Sequence, residues 1–126
     1  MKELTLILEK SGNDFLGRVL YKENLILGQA ETLGQLEVEI RTALFNYHEL
    51  QPERVKFRYK YDLSALFEKF GYLKISAIAN TAGINASLLR QYVNGQKQAS
   101  EKQANKIQAA IHKIAKELST VEIYGK

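Results

Sequence analysis

Residues 74–95 read KISAIANTAGINASLLRQYVNG, and the reading of this stretch decides the second half of the chain. Ile75, Ile78 and Ala79 recur at three- and four-residue steps and give a short first helix one apolar face. Ala79 is small where a second helix must approach closely. Gly83 stands where a sharp turn needs left-handed backbone, which costs least without a Cβ. Ile84 fills the space beneath that turn, and Asn85 can cap a second helix whose Leu88, Leu89, Tyr92 and Val93 face inward. Asn94-Gly95 ends it with the residues that best accept a left-handed cap. The spacing therefore predicts two short helices crossing at a tight turn.

Helical periods continue on both sides. Asp62 can cap a preceding helix carrying Leu63, Leu66, Phe67 and Phe70, with Gly71 as its expected left-handed terminator. Ser100 and Gln103 form a capping box for a last helix, which carries Ile107, Ile111, Ile114 and Leu118 on one stripe. The tail from Val121 to Tyr124 is read as a possible short strand.

Upstream the period changes from 3.6 to 2. Leu4, Leu6 and Leu8 alternate with Thr5, Ile7 and Glu9, and a turn cluster at Ser11-Gly12-Asn13-Asp14 leads into a second strand with Phe15, Val19 and Tyr21 on one face. A tight connection at Lys22-Glu23-Asn24 precedes a third strand from Leu25 to about Ala30, so the three form an antiparallel meander. Thr32 and Gln35 box the start of a helix with Leu33, Leu36, Ile40, Ala43, Leu44 and Tyr47 on its apolar face, and Pro52, the only proline, stops it. Val55, Phe57, Tyr59 and Tyr61 then alternate with Lys56, Arg58 and Lys60 in a fourth strand. The expected class is α+β: a βββαβ domain at 1–61, an all-α domain at 62–118, and a tail at 119–126.

With 126 residues, 45% apolar and a quarter charged, the chain suits one globular domain or two small ones. It has no cysteine, which excludes disulfides and thiolate metal sites. No window reaches the roughly 20 apolar residues of a membrane span, and MKELTLILEK shows no secretion signal; a cytoplasmic location is the expectation. The net charge of +4 is lopsided: residues 1–61 hold nine Lys/Arg and nine Asp/Glu, while residues 62–126 hold nine and five. Such asymmetry points towards a nucleic-acid-binding half, although four charges also suit an ordinary solvated helix surface.

Removing the inward residues of the second short helix leaves Ala86, Ser87, Arg90 and Gln91 for its outward or leading face. Arg can read guanine bidentately and Gln adenine, while Ala and Ser can meet a thymine methyl or a phosphate. Lys97 is read as a DNA-backbone contact or an exposed charge. The joint pattern of Ile78-Ala79, Ala82-Gly83-Ile84, Ser87, Leu88-Leu89, Tyr92 and Asn94-Gly95 resembles the Cro/CI-type, or xenobiotic-response-element, helix-turn-helix over about residues 62–118. That resemblance implies binding to double-stranded operator DNA, usually as a homodimer or higher oligomer. At Ile75 such proteins often carry a phosphate-binding Gln, so here Lys74 or Ser76 would supply that contact.

The first half resembles the HicB antitoxins of bacterial type II toxin–antitoxin systems, on Phe15 to Val19, Leu25 to Gly28, and Glu31-Thr32-Leu33 through Ala43-Leu44. The resemblance implies a degenerate RNase H-like domain that docks on a HicA-like toxin, in a protein that represses its own operon. An RNase H-type enzyme would need clustered carboxylates to hold two divalent metals. Glu3, Glu9, Glu31, Asp14 and Asp62 are scattered over strands, a turn and a cap, and the two histidines, His48 and His112, are isolated. No enzyme, metal or cofactor is expected. The competing readings are a stand-alone repressor whose first domain serves dimerisation, and a protein-interaction module without DNA binding.

Overall fold

Strands β1 (Lys2–Ser11) and β2 (Asp14–Tyr21) are joined by Gly12-Asn13, with Gly12 at φ +59°. Glycine in the first of two turn positions is the type II′ arrangement, whose twist matches that of the strands it joins. β2 passes to β3 (Asn24–Ala30) through Lys22-Glu23, at φ +47° and +68°. Both residues are left-handed, as a type I′ turn demands. Two such turns explain the antiparallel registers, which run from Ser11 opposite Asp14 and from Tyr21 opposite Asn24. Helix α1 (Leu33–His48) follows, then a single 3-10 turn at Pro52–Arg54 and strand β4 (Val55–Tyr61). β4 runs parallel to β1, with Lys2 opposite Val55, so the sheet order is β3-β2-β1-β4 with β3 and β4 at its edges.

This computed structural model describes residues Met1–Lys126. They form an α+β chain with a four-stranded mixed sheet and five α-helices, in two compact units, Met1–Lys69 and Phe70–Lys126.

In the first unit α1 covers one face of the sheet. Leu36, Ile40 and Leu44 are fully buried against Leu4, Leu6, Leu8, Phe15, Val19, Tyr21, Ile26, Val55 and Phe57. Burying one such aliphatic side chain is worth about 1.5–3 kcal/mol, so this face fixes where the helix lies. Its close approach depends on a glycine pair. Gly17 and Gly28 are opposite each other on β2 and β3, and a Cβ on either would lie 2.9 Å from a Leu36 methyl. The start of α1 is capped by Thr32, whose Oγ1 accepts from the Gln35 N–H at 3.2 Å, and its end by Glu49 in left-handed backbone at φ +57°.

The boundary expected at Asp62 moves to Lys69–Phe70. Helix α2 (Leu63–Lys69) belongs to the sheet: the Asp62 N–H donates to the Leu8 carbonyl at 2.9 Å, and Ala65 is fully buried in the sheet's core. Lys10 and Glu68 add an ion pair at 3.7 Å. Asp62 does cap α2, accepting from the Ala65 N–H at 2.8 Å. Gly71 does not terminate it in left-handed backbone, since positive φ occurs among the glycines only at Gly12, Gly83 and Gly95.

The second unit holds α3 (Ile75–Ala82), α4 (Ala86–Val93) and α5 (Glu101–Leu118). Its buried residues are Ile78, Ala79, Leu89, Tyr92, Ile107 and Ala110. The stripe on α5 is graded: Ile107 is buried, Ile111 and Ile114 are half-buried, and Leu118 is exposed. Val121–Tyr124 forms no strand within the chain, because no neighbouring segment supplies a ladder. Thr120 instead turns back, its hydroxyl donating to the Glu117 carbonyl at 2.8 Å.

Candidate nucleic-acid interface

The turn between α3 and α4 is built by backbone hydrogen bonds that only a left-handed residue permits. Gly83 has φ +73°; its N–H donates to the Asn80 carbonyl at 3.3 Å, and the Ile84 N–H reaches back to Ala79 at 3.0 Å. This pairing satisfies carbonyls that the end of α3 would otherwise leave open. Two residues later Asn85 Oδ1 accepts from the Ser87 N–H at 2.7 Å and from the Leu88 N–H at 3.3 Å, so α4 starts sharply. Its far end closes on Gly95 at φ +77°, with the Gln96 and Lys97 N–H groups both donating to the Gln91 carbonyl at 2.9 and 3.2 Å. The helix is thus held at both ends and by Leu89 and Tyr92 beneath it.

Against that frame the sequence-predicted site residues separate. Ala86, Ser87, Arg90 and Gln91 all lie on α4, where positions three and four apart are neighbours with Cβ atoms about 5–6 Å apart. Ser87 and Arg90 are exposed, whereas Ala86 and Gln91 are half-buried at the flanks of the same face. Lys74 and Ser76 are exposed at the start of α3, a helix that begins without a side-chain cap. Lys97 is exposed just beyond α4 and is tied to it through its own N–H. Sequence reasoning assigned Asn94 only to helix termination. It is exposed, four residues after Arg90 and seven after Ser87, so it extends their stripe. The helical step from Ser87 carries that signal.

Electrostatics favours an anionic partner for this unit. With α2 assigned to the sheet, residues 70–126 carry eight Lys/Arg against three Asp/Glu, a net +5. The chain's ion pairs, Lys10–Glu68 and Arg18–Glu9, both lie in the first unit, so Arg90 and the second unit's lysines are free of carboxylate partners.

Several of the first unit's carboxylates have separate partners. Glu9 pairs with Arg18, Asp14 accepts from Gln29 Nε2 at 2.7 Å, Asp62 caps α2, and Glu37 accepts from the Tyr59 hydroxyl. That hydrogen bond, followed by burial, pushes the Tyr59 hydroxyl up to about 12, and burial raises Tyr61 as well. His48 packs edge-on against Tyr21 at 5.4 Å between ring centroids, and no group of three or more His, Cys, Asp or Glu is placed to hold a metal ion. The basic row Lys56, Arg58 and Lys60 is exposed on the sheet face away from α1. No helix is long and apolar enough to cross a membrane.

Comparison of the chain with family models, curated proteins and solved structures gives no match.

Proposed function

We propose that residues 70–126 bind double-stranded operator DNA as a helix-turn-helix, with α4 as the recognition helix. One observation carries this reading: Ser87, Arg90 and Asn94 form an exposed stripe on a short helix whose opposite side, Leu89 and Tyr92, is buried, and Arg90 has no carboxylate partner. A recognition helix needs an outward face free to reach base edges while its inner face anchors it. Arg90 would read a base or bind phosphate, Gln91 and Ala86 would flank it, and Lys74, Ser76 and Lys97 would meet phosphates. The uncapped start of α3 offers N–H groups to the DNA backbone, whereas at α4 Asn85 already takes those of Ser87 and Leu88.

The test is operator selection with wild type, Arg90→Ala and Gln91→Ala at one fixed salt concentration. Loss of a base contact costs about 1–3 kcal/mol and relaxes preference at one operator position. Lys74→Ala and Lys97→Ala weaken binding to all sequences alike, and each flattens the slope of log K against log salt by about one unit. Identical base preferences for all three proteins would remove Arg90 and Gln91 from base reading.

For the whole chain we propose an antitoxin that represses its own operon and neutralises a HicA-like toxin through the first unit. Support comes from a sheet with one face covered by α1 and the other open, joined to a basic helical unit. Co-expression with the product of the neighbouring reading frame tests it: the expected outcome is a co-purifying complex and restored growth, and neither appearing would defeat the antitoxin reading.

A further inference from the structure

The two edges of the sheet are finished differently. At the β4 edge, Arg41 reaches from α1 and donates to the Pro52 and Val55 carbonyls at 2.7 and 2.6 Å, and Lys56, Arg58 and Lys60 line the open face beside it. Such charges discourage a further strand. The β3 edge carries leucines instead. Leu25 and Leu27 are 58% and 65% exposed on the face away from α1, beside Leu20 at 66%.

The register shows which backbone groups that edge leaves open. A two-residue turn makes Tyr21 and Asn24 a hydrogen-bonded pair, so Val19–Ile26 and Gly17–Gly28 are bonded pairs too. Leu25, Leu27 and Gln29 therefore direct their N–H and carbonyl groups outward. The Gln29 N–H is taken by the Glu39 carboxylate at 3.3 Å, which blocks the edge there. Two complete, unobstructed donor–acceptor sets remain, at Leu25 and Leu27.

We propose that the β3 edge pairs with the β3 edge of a second copy of this chain, antiparallel about a two-fold axis at Ile26. In that register Leu25 faces Leu27 of the second copy and Leu27 faces its Leu25. Both open sets are consumed in four backbone hydrogen bonds, and Glu39 keeps the Gln29 N–H because the second copy turns away at Lys22-Glu23. The four leucines meet as cross-strand pairs on the open face. An unrelated strand would have to match both the two-residue opening and the leucines; β3 itself matches both.

The experiment is oxidative cross-linking of the full chain without DNA, so its outcome is independent of operator binding. The natural sequence has no cysteine to interfere. Bonded partners across an antiparallel pair have Cα atoms about 5.5 Å apart, within disulfide reach, whereas two residues 25, offset by two positions, lie roughly 8–9 Å apart and beyond it. An equimolar mixture of Leu25→Cys and Leu27→Cys proteins should give the mixed disulfide dimer as its principal product. Either protein alone should give little, and Leu20→Cys mixed with Leu27→Cys should give little despite equal exposure. A mixture that stays uncrosslinked, or Leu27→Cys alone crosslinking as fully as the mixture, overturns the proposal. All three positions are exposed, so the variants keep the fold on which the test depends.

Discussion

Adding one methyl group at Gly17 tests how α1 is seated on the sheet. A Cβ there would lie 2.9 Å from Leu36 Cδ2, 3.2 Å from Leu36 Cγ and 3.1 Å from Ile40 Cδ1. Carbon atoms in a packed core rest at about 3.5–4.0 Å, so Leu36 and Ile40 must yield by several tenths of an ångström. Both are fully buried and have no free side to move towards. Gly17→Ala should therefore destabilise the first unit by about 1–3 kcal/mol through overpacking. Leu36→Ala alone should cost about 2–5 kcal/mol through the cavity it leaves. The two changes should compensate, because the new methyl enters the vacated space, and the double variant should fall short of the sum by about 1 kcal/mol or more. Native-state hydrogen exchange at the Val19 and Ile26 amides reads the first unit separately from the helical one. A double variant whose loss equals the sum within about 0.5 kcal/mol would show that the glycine pair does not set the helix–sheet distance.

Asp62→Ala removes the cap on α2 and should cost about 1 kcal/mol, read at amides of β1 rather than of α4; a loss confined to α4 would return α2 to the helical unit. For Tyr59, a hydroxyl held up to about 12 in the folded chain against 10.0 ordinarily stabilises the fold below pH 10, and that contribution fades as pH rises from 10 towards 12. Tyr59→Phe should flatten that alkaline fall and change stability near neutral pH by under about 1 kcal/mol, since Tyr59 is half-exposed and its bond to Glu37 lies at the surface. Gly83→Val should crowd the left-handed turn, lower the melting temperature of the helical unit and, on the proposed function, weaken operator binding as a consequence; an unchanged melting temperature would contradict the geometry of that turn.

Local chemistry made much of this chain legible. The alternation of Leu4, Leu6 and Leu8 marks β1 because side chains on a strand alternate between faces. Gly12, Gly83 and Gly95 stand where the backbone is left-handed, and Thr32, Asp62, Asn85 and Ser100 each accept a hydrogen bond from the first turn of their helix. These interactions span two to four residues, so a window of sequence contains both partners. The face of α4 that carries Arg90 was likewise a matter of subtracting its apolar positions.

Tertiary structure decided what depends on distant partners. α2 has the same helical period as the helices after it, yet it joins the sheet because the Leu8 carbonyl receives the Asp62 N–H and the core accepts Ala65. The roles of Gly17 and Gly28 were invisible in a strand pattern, since what requires them is Leu36 and Ile40 on a helix elsewhere in the sequence. The tail had a strand's composition but gained no ladder, because strand formation needs a partner and composition does not supply one. Glu39, one more acid on a helix by sequence, closes one backbone donor at the β3 edge. Sequence by itself set the local conformations and the exposed face of α4. Which elements share a core, and which sheet edge stays open, followed only from packing, because burial and hydrogen bonding join residues far apart along the chain.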